Sequence, residues 1–173
     1  MVAGFCWPWS SKKASDGGLV SDVTIGDWSR PWNAKPDAGR LAPGIPKSYL
    51  WAKEPGGIDQ VGCIYTAQGF EFDYAGVIFG RDLVYRPRQG WVGRPDLSFD
   101  NGLKRGTEVD EFTGLVKNTY RVLLSRGLRG CYVHFMDEPT RVFVESRIED
   151  AAGVQYEHER RVAEPSPEYG NDE

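Results

Sequence analysis

The chain of 173 residues has few of the side chains that form crosslinks or metal centres, with three cysteines and two histidines. Cys6, Cys63 and Cys131 lie far apart inside apolar runs, a spacing that fits neither a disulfide framework nor a zinc site. They are expected to be small core residues in a reducing compartment. His134 and His158 have no second ligand at a suitable spacing, so no metal site is predicted.

Long apolar runs are also missing. No stretch approaches the ~20 apolar residues of a membrane span, and the N-terminus lacks the features of a signal peptide. The pattern Gly-x-x-x-x-Gly-Lys-[Ser/Thr], which cradles phosphates, does not occur, and no Asp-Glu pair that could hold magnesium follows a strand in the residues before 66. With 40% hydrophobic and 27% charged residues, the composition predicts a globular cytoplasmic protein of one domain.

Charge divides the chain into two parts. Eight acidic and two basic residues lie from Glu149 onward, which leaves 19 basic and 17 acidic residues in 1–148. Residues 1–148 are therefore expected to form the domain and 149–173 an acidic tail, largely disordered. The mildly basic body is compatible with nucleic-acid contact without requiring it.

Apolar patterning predicts an α/β fold with a mainly parallel sheet. A helix is expected over 107–126, ended by Gly127, and a second helix begins near Asp137. Residues 20–28 alternate like a strand or half-hairpin, whereas 29–55 and 81–106 are expected to be long irregular insertions. The main strands are expected at 2–5, 61–65, 74–79 and 130–135.

A polar turn between the second and third of these strands attracts attention. Residues 66–73 read Thr-Ala-Gln-Gly-Phe-Glu-Phe-Asp. A hydroxyl, an amide, a glycine and two carboxylates are more functional groups than a simple connection between strands requires. If the preceding strand extends to residue 65, the turn lies at a carboxyl end, where ligands bind in open α/β sheets. The alternative is an ordinary turn with a solvated acidic loop.

Three segments carry a resemblance to known proteins. The spacing Thr-x-x-Gly-x-Glu-x-Asp resembles motif V of superfamily 1 helicases, and its wording is most similar to the Schlafen group 3-like DNA/RNA helicase family. The opening Gly-Phe-Cys-Trp-Pro-Trp-Ser resembles the same family. Leu-Ser-Arg-Gly at 124–127 resembles motif VI, with Ser125 in place of threonine and Arg126 at the position of the arginine that reaches the γ-phosphate. A plain arginine at a helix C-terminus is the alternative for Arg126.

The resemblance implies a RecA-like three-layer domain, the second motor domain of a helicase or nucleic-acid-dependent ATPase. ATP with Mg²⁺ would be held mainly by an N-terminal P-loop domain that this sequence lacks, so the chain is expected to be a truncated or separately encoded half, inactive alone. Arg126 would be catalytic. The nucleotide contacts that the resemblance implies are Thr66, Gln68, Gly69, Glu71 and Ser125, with the Gly69 backbone near the phosphates and Glu71 on the ribose.

Aromatic and basic residues in the insertions suggest a site for unpaired bases. Trp32, Arg88 and Trp91 are the candidates for contact with single-stranded DNA or RNA. Pinning of the loops to the protein body is the alternative for the tryptophans.

Two other functions stay open, a non-catalytic binding module derived from a motor domain and a metal nuclease. The carboxylates that the nuclease would use are Asp96, Asp100, Glu108 and Asp110.

Overall fold

The computed structural model describes residues 1–11 and 14–163, with side-chain surroundings as far as Gly153. Within this part the chain forms a mixed α/β structure with short 3₁₀ turns in its connections. In chain order the strands and helices are β1 (Val2–Ala3), β2 (Val23–Ile25), β3 (Trp28–Arg30), α1 (Ile64–Ala67), β4 (Phe72–Phe79), β5 (Leu83–Arg86), β6 (Gly90–Gly93), α2 (Asn101–Lys104), α3 (Val109–Leu124), β7 (Gly127–Phe135) and α4 (Glu138–Ala163).

A parallel sheet with the order β1-β4-β7 forms the centre of the fold. Single parallel bridges continue it beyond β1, first to Gly62 and then from Val61 to Trp32. The carboxyl half of β4, from Val77 to Phe79, is buried on both faces and is accordingly apolar throughout. The predicted parallel sheet is thus confirmed.

Helix α3 covers one face of the sheet. Its residues Phe112, Val116, Tyr120 and Leu123 are buried at helical spacing and form one cluster with Val77 and Phe79. Burial of each such side chain is worth roughly 1.5–3 kcal/mol. The helix predicted over 107–126 is therefore confirmed, with ends two residues shorter at each side.

Tryptophans cover the carboxyl half of the other face. Trp7 and Trp32 pack with Ala3 and Ile78, and the Trp32 ring stacks on Phe5 with centroids 5.4 Å apart. Each indole nitrogen donates to a carbonyl oxygen, Trp7 to Thr24 at 3.1 Å and Trp32 to Pro8 at 2.9 Å. These bonds fasten the N-terminal segment and the proline-rich loop to the sheet.

The strand predicted at 61–65 is wrong beyond Gly62. The Cys63 backbone N–H donates to the Oδ1 atom of the buried Asn33 side chain at 3.1 Å, and the chain then enters α1. As a result, the turn that follows α1 lies at the amino end of β4, not at a carboxyl end.

The segment 81–106 is more regular than predicted. Strands β5 and β6 form an antiparallel hairpin, with Gly90 at a φ of +75° beside the turn, and 3₁₀ and α2 turns follow. The hairpin is fixed to α4 because Arg86 forks onto Asp137, at 2.8 and 2.9 Å, and the Tyr85 N–H donates to Thr140 Oγ1 at 2.9 Å.

Helix α4 runs to Ala163, so residues 149–163 are helical where an acidic tail without regular structure was expected. Ion pairs lie along the earlier part of the helix, Arg141 with Glu138 and Glu145, and Arg147 with Asp150. The expectation of disorder for 164–173 concerns residues outside those described. None of the described helices is both long and apolar enough to cross a membrane.

Candidate functional site

The segments that resemble motifs V and VI meet at one edge of the sheet. Gly69 and Glu71 immediately precede β4, while Ser125 and Arg126 immediately precede β7. Because β4 and β7 are parallel and pair from Phe72 and Gly127 onward, with one shift of register between Phe72 and Tyr74, these two entrances are adjacent. The Phe72 N–H donates to the Arg126 carbonyl oxygen at 2.9 Å, which joins the two segments directly.

The Arg126 guanidinium is bonded only to neutral acceptors. Nε donates to the Val122 carbonyl at 3.0 Å, Nη1 to the Phe70 carbonyl at 3.3 Å and Nη2 to Ser125 Oγ at 3.1 Å. In the described part of the chain, no carboxylate forms an ion pair with it. These bonds orient the side chain beside residues 66–73, the motif V turn. Its positive charge is not neutralised by a carboxylate among the described residues, as an anion-binding group requires.

The turn itself is open. Gly69 adopts a φ of +85°, a left-handed conformation that favours glycine, and a Cβ built on it meets no atom within 4 Å. Gln68, Gly69 and Glu71 are all exposed. Backbone and side chains of this turn are therefore accessible to a ligand that approaches the edge.

Thr66 has a different environment from its neighbours in the motif. Its hydroxyl accepts a hydrogen bond from Asn33 Nδ2 at 2.9 Å and lies 3.5 Å from Cys63 Sγ. Burial raises the pKa of the Cys63 thiol, which stays neutral there. Thr66 and Asn33 together hold α1 in place, and the nucleotide contact that the resemblance implies for Thr66 stays a prediction. No local sequence signal identified Asn33, because its partners lie about thirty residues away.

Of the three residues predicted to contact nucleic acid, Trp32 belongs to the core and Trp91 packs against it. Trp32 is 1% exposed and presents no free face to a base. The Trp91 ring packs among Phe79, Tyr85 and Phe143, with centroids 6.0, 5.7 and 5.7 Å away. The stacking role predicted for Trp32 is wrong because its ring is buried, whereas the role of the partly buried Trp91 stays a prediction. Arg88 is exposed at the tip of the β5–β6 hairpin, and its contact with nucleic acid stays a prediction.

Two of the four carboxylates of the nuclease alternative have partners within the protein. Asp96 pairs with Arg94 at 3.0 Å, and Asp100 accepts from the Gly102 and Leu103 N–H groups and caps α2. Across residues 1–11 and 14–153, no three His, Cys, Asp or Glu side chains lie close enough together to hold a metal ion. The geometry gives the nuclease alternative no support.

Comparison with known proteins identifies a relative of part of the chain and a family that matches most of it. An uncharacterized protein of Saccharomyces cerevisiae is 37% identical over 97 residues, which covers 53% of this chain but only 21% of the yeast protein. No solved structure matches the chain. The family described as Schlafen group 3, DNA/RNA helicase domain, matches residues 1–137. This match spans most of the chain and contains both segments of the candidate site, and the chain therefore belongs to the Schlafen group 3 DNA/RNA helicase domain family.

Proposed function

We propose that this chain supplies one side of the ATP site of an ATP-dependent DNA/RNA helicase or nucleic-acid-dependent ATPase, as its RecA-like second motor domain. The observation that carries the proposal is the placement of Arg126. Its guanidinium lies against the motif V turn, is oriented by neutral acceptors and has no carboxylate partner in the described residues. An arginine held in this way at a site edge suits the stabilisation of charge on a transferring phosphoryl group.

Each group at the edge has a distinct proposed role. Arg126 reaches the γ-phosphate, and Ser125 orients it by accepting from Nη2. The exposed Gly69 backbone approaches the phosphates, while Gln68 and Glu71 bond to the nucleotide, Glu71 at the ribose. These residues fit a polyphosphate ligand because the turn is open and the cation next to it is uncompensated. ATP with Mg²⁺ supplies the transferable phosphoryl group.

The rest of the ATP site is proposed to lie on a partner domain. The sequence contains no phosphate-cradling loop with its lysine, and no Asp-Glu pair for magnesium precedes residue 66, whereas a motor needs both groups. A P-loop motor domain outside this sequence would hold ATP and Mg²⁺. Single-stranded DNA or RNA is the proposed substrate of the assembled motor, which would act in the cytoplasm.

A steady-state ATPase assay tests the proposal. The purified chain alone is expected to show no turnover, with or without single-stranded nucleic acid, because it provides only one side of the site. Addition of a P-loop motor domain from the same family is expected to produce turnover that single-stranded nucleic acid stimulates. Hydrolysis by the lone chain would point to a different catalytic centre. Failure of every such P-loop domain to give activity would favour a non-catalytic binding module.

A further inference from the structure

A cavity of about 430 Å³ with an aromatic lining opens beside the motif V turn. The rings of Trp9, Tyr49, Tyr65 and Phe70 line it, together with the polar side chains of Thr66 and Gln68. Tyr49 is 63% exposed and Tyr65 is 57% exposed. Large aromatic side chains that stay accessible around one concavity contribute little to the core, and such patches mark binding sites.

Tyr65 is held in place without being covered. Its hydroxyl donates to Asp100 Oδ2 at 2.7 Å, and its backbone belongs to α1. Burial of the hydroxyl, and then the Asp100 carboxylate, raise the pKa of Tyr65, so the hydroxyl keeps its proton and remains a donor. The Tyr65 hydroxyl thus has its hydrogen-bond partner within the protein, while the residue lines the cavity. A ring fixed before binding loses little conformational entropy when a ligand stacks on it.

Two lysines lie beside aromatic residues that line the cavity. Lys47 Nζ lies 6.0 Å from the centre of the Tyr49 ring, and Lys35 Nζ lies 5.8 Å from the centre of the Trp9 ring. Among the described residues that line the cavity, none is a carboxylate. Aromatic faces, neutral hydrogen-bonding groups and flanking lysines match the surface of a single strand, which offers flat bases and regularly spaced phosphates.

We propose that this cavity binds an unpaired nucleobase of single-stranded DNA or RNA. Tyr49 and Tyr65 supply the stacking faces, the Gln68 amide meets the polar edge of the base, and Lys35 and Lys47 contact the flanking phosphates. The inference rests on the proposed function, in which single-stranded DNA or RNA is the substrate of the assembled motor. It adds the site at which this chain binds that substrate.

Phe70 connects this cavity to the proposed ATP site. Its ring lines the cavity, whereas its carbonyl oxygen accepts the hydrogen bond from Arg126 Nη1 at 3.3 Å. A base that displaces the Phe70 ring would therefore disturb the contact that orients the arginine. The two sites share a residue, which gives the assembled motor a direct route from strand binding to hydrolysis.

Fluorescence anisotropy with the full chain alone tests the cavity, with no ATP and no partner domain present. The probes are fluorescein-labelled dT20 and U20, with a labelled 20-base-pair duplex for comparison. Wild type is expected to bind at least one single strand more tightly than the duplex. Tyr49→Ala is expected to weaken that binding about five- to one-hundred-fold, the effect of removing one base-stacking ring, while Tyr49→Phe retains it. Lys47→Ala should lower the slope of log affinity against log salt by about 0.7.

Tyr132→Ala is the matched control, because Tyr132 is 72% exposed on β7 and does not line the cavity. It is expected to bind like wild type. Equal affinity of Tyr49→Ala and wild type, equal losses in Tyr49→Ala and Tyr132→Ala, or displacement of the oligonucleotide by AMP at equal base concentration would each overturn the proposal. Because this assay measures strand binding without hydrolysis, a negative result here would not predict a negative ATPase assay. Likewise, a negative ATPase assay would not predict a loss of strand binding.

Discussion

The hydrogen-bond partners of two partly buried arginines distinguish a cation that stabilises the fold from one that can bind an anionic ligand. Arg86 forks onto Asp137, so its charge is neutralised inside the fold. Arg126 is oriented as firmly, yet by two carbonyls and a hydroxyl. Carbonyl and hydroxyl acceptors fix the direction of a guanidinium but leave it a net cation. At the scale of single residues, this difference is the reason to assign function to Arg126 and stability to Arg86.

The Arg86–Asp137 pair makes stability depend on pH in a defined window. Its hydrogen bonds from Arg86 and Thr140 lower the pKa of Asp137 to about 2, from 3.8. A carboxyl whose pKa is lower in the folded state stabilises the fold above about pH 4, and this contribution is lost as the pH falls towards 2. Asp137→Asn should therefore reduce the free energy of unfolding at pH 7 by about 1–2 kcal/mol, a value discounted for the partial exposure of Arg86.

Urea denaturation of both proteins between pH 7 and pH 2 provides the measurement. The difference between Asp137→Asn and wild type should shrink below pH 4. Asp96→Asn is the control, because the Asp96–Arg94 pair is exposed and such pairs contribute little. A difference that stays constant down to pH 2 would show that the charge of Asp137 is not what stabilises the fold.

At the scale of elements, Tyr120 fixes α3 to the sheet. Its hydroxyl donates to Asp82 Oδ1 at 2.6 Å and accepts from the Gly80 N–H at 2.7 Å, all in the core. Burial raises the pKa of the Asp82 carboxyl, and the bond from Tyr120 opposes this effect. The space for the hydroxyl depends on Gly4, where a Cβ would lie 1.9 Å from the Tyr120 oxygen.

Tyr120→Phe is expected to destabilise the protein by about 2–3 kcal/mol, because the Asp82 carboxyl and the Gly80 N–H both lose a buried partner. Chemical denaturation measures this change. Tyr132→Phe, which removes an exposed hydroxyl, should differ from wild type by less than about 0.5 kcal/mol. Equal stability of Tyr120→Phe and wild type would mean that packing of the ring alone holds α3.

The elements with regular periodicity could be predicted from the sequence. Helix α3, β4 and β7 were found because their apolar spacing and the glycine after the helix are local signals. The strand at 61–65 failed because a distant side chain, Asn33, captures the Cys63 N–H and starts a helix. Tertiary contacts of this kind override local preference.

One missed element, and the greater length of a predicted helix, did leave signals in the sequence. Apolar runs on either side of Pro-Arg-Gln-Gly at 87–90 are typical of a hairpin with a glycine next to the turn, which is what β5 and β6 form. Opposite charges three or four residues apart, such as Glu138, Arg141 and Glu145, are typical of a solvated helix and accompany α4. Composition alone had suggested a tail in part of this region.

At the scale of the whole molecule, parallel topology brings the candidate site together. The sequence predicted Gly69, Glu71 and Arg126 as members of one site, and the paired entrances of β4 and β7 place them at the same edge. It misplaced that edge, because the length of the preceding strand was wrong. Trp32 was misassigned because a tryptophan in a loop gives no local sign of whether its ring is buried. The exposed rings of Tyr49 and Tyr65 became evident only in three dimensions.

The kcat of the reconstituted motor with Arg126→Ala tests the central claim most directly. With a P-loop domain, ATP and single-stranded nucleic acid present, loss of this arginine is expected to lower kcat by about 10³- to 10⁵-fold with little change in the KM for ATP. Arg126→Lys should also be slow, because an ammonium cannot fork onto phosphate oxygens. Arg129→Ala, which removes an exposed arginine paired with Asp73 at 3.3 Å, should retain kcat within about twofold. A kcat for folded Arg126→Ala within tenfold of wild type would contradict the account.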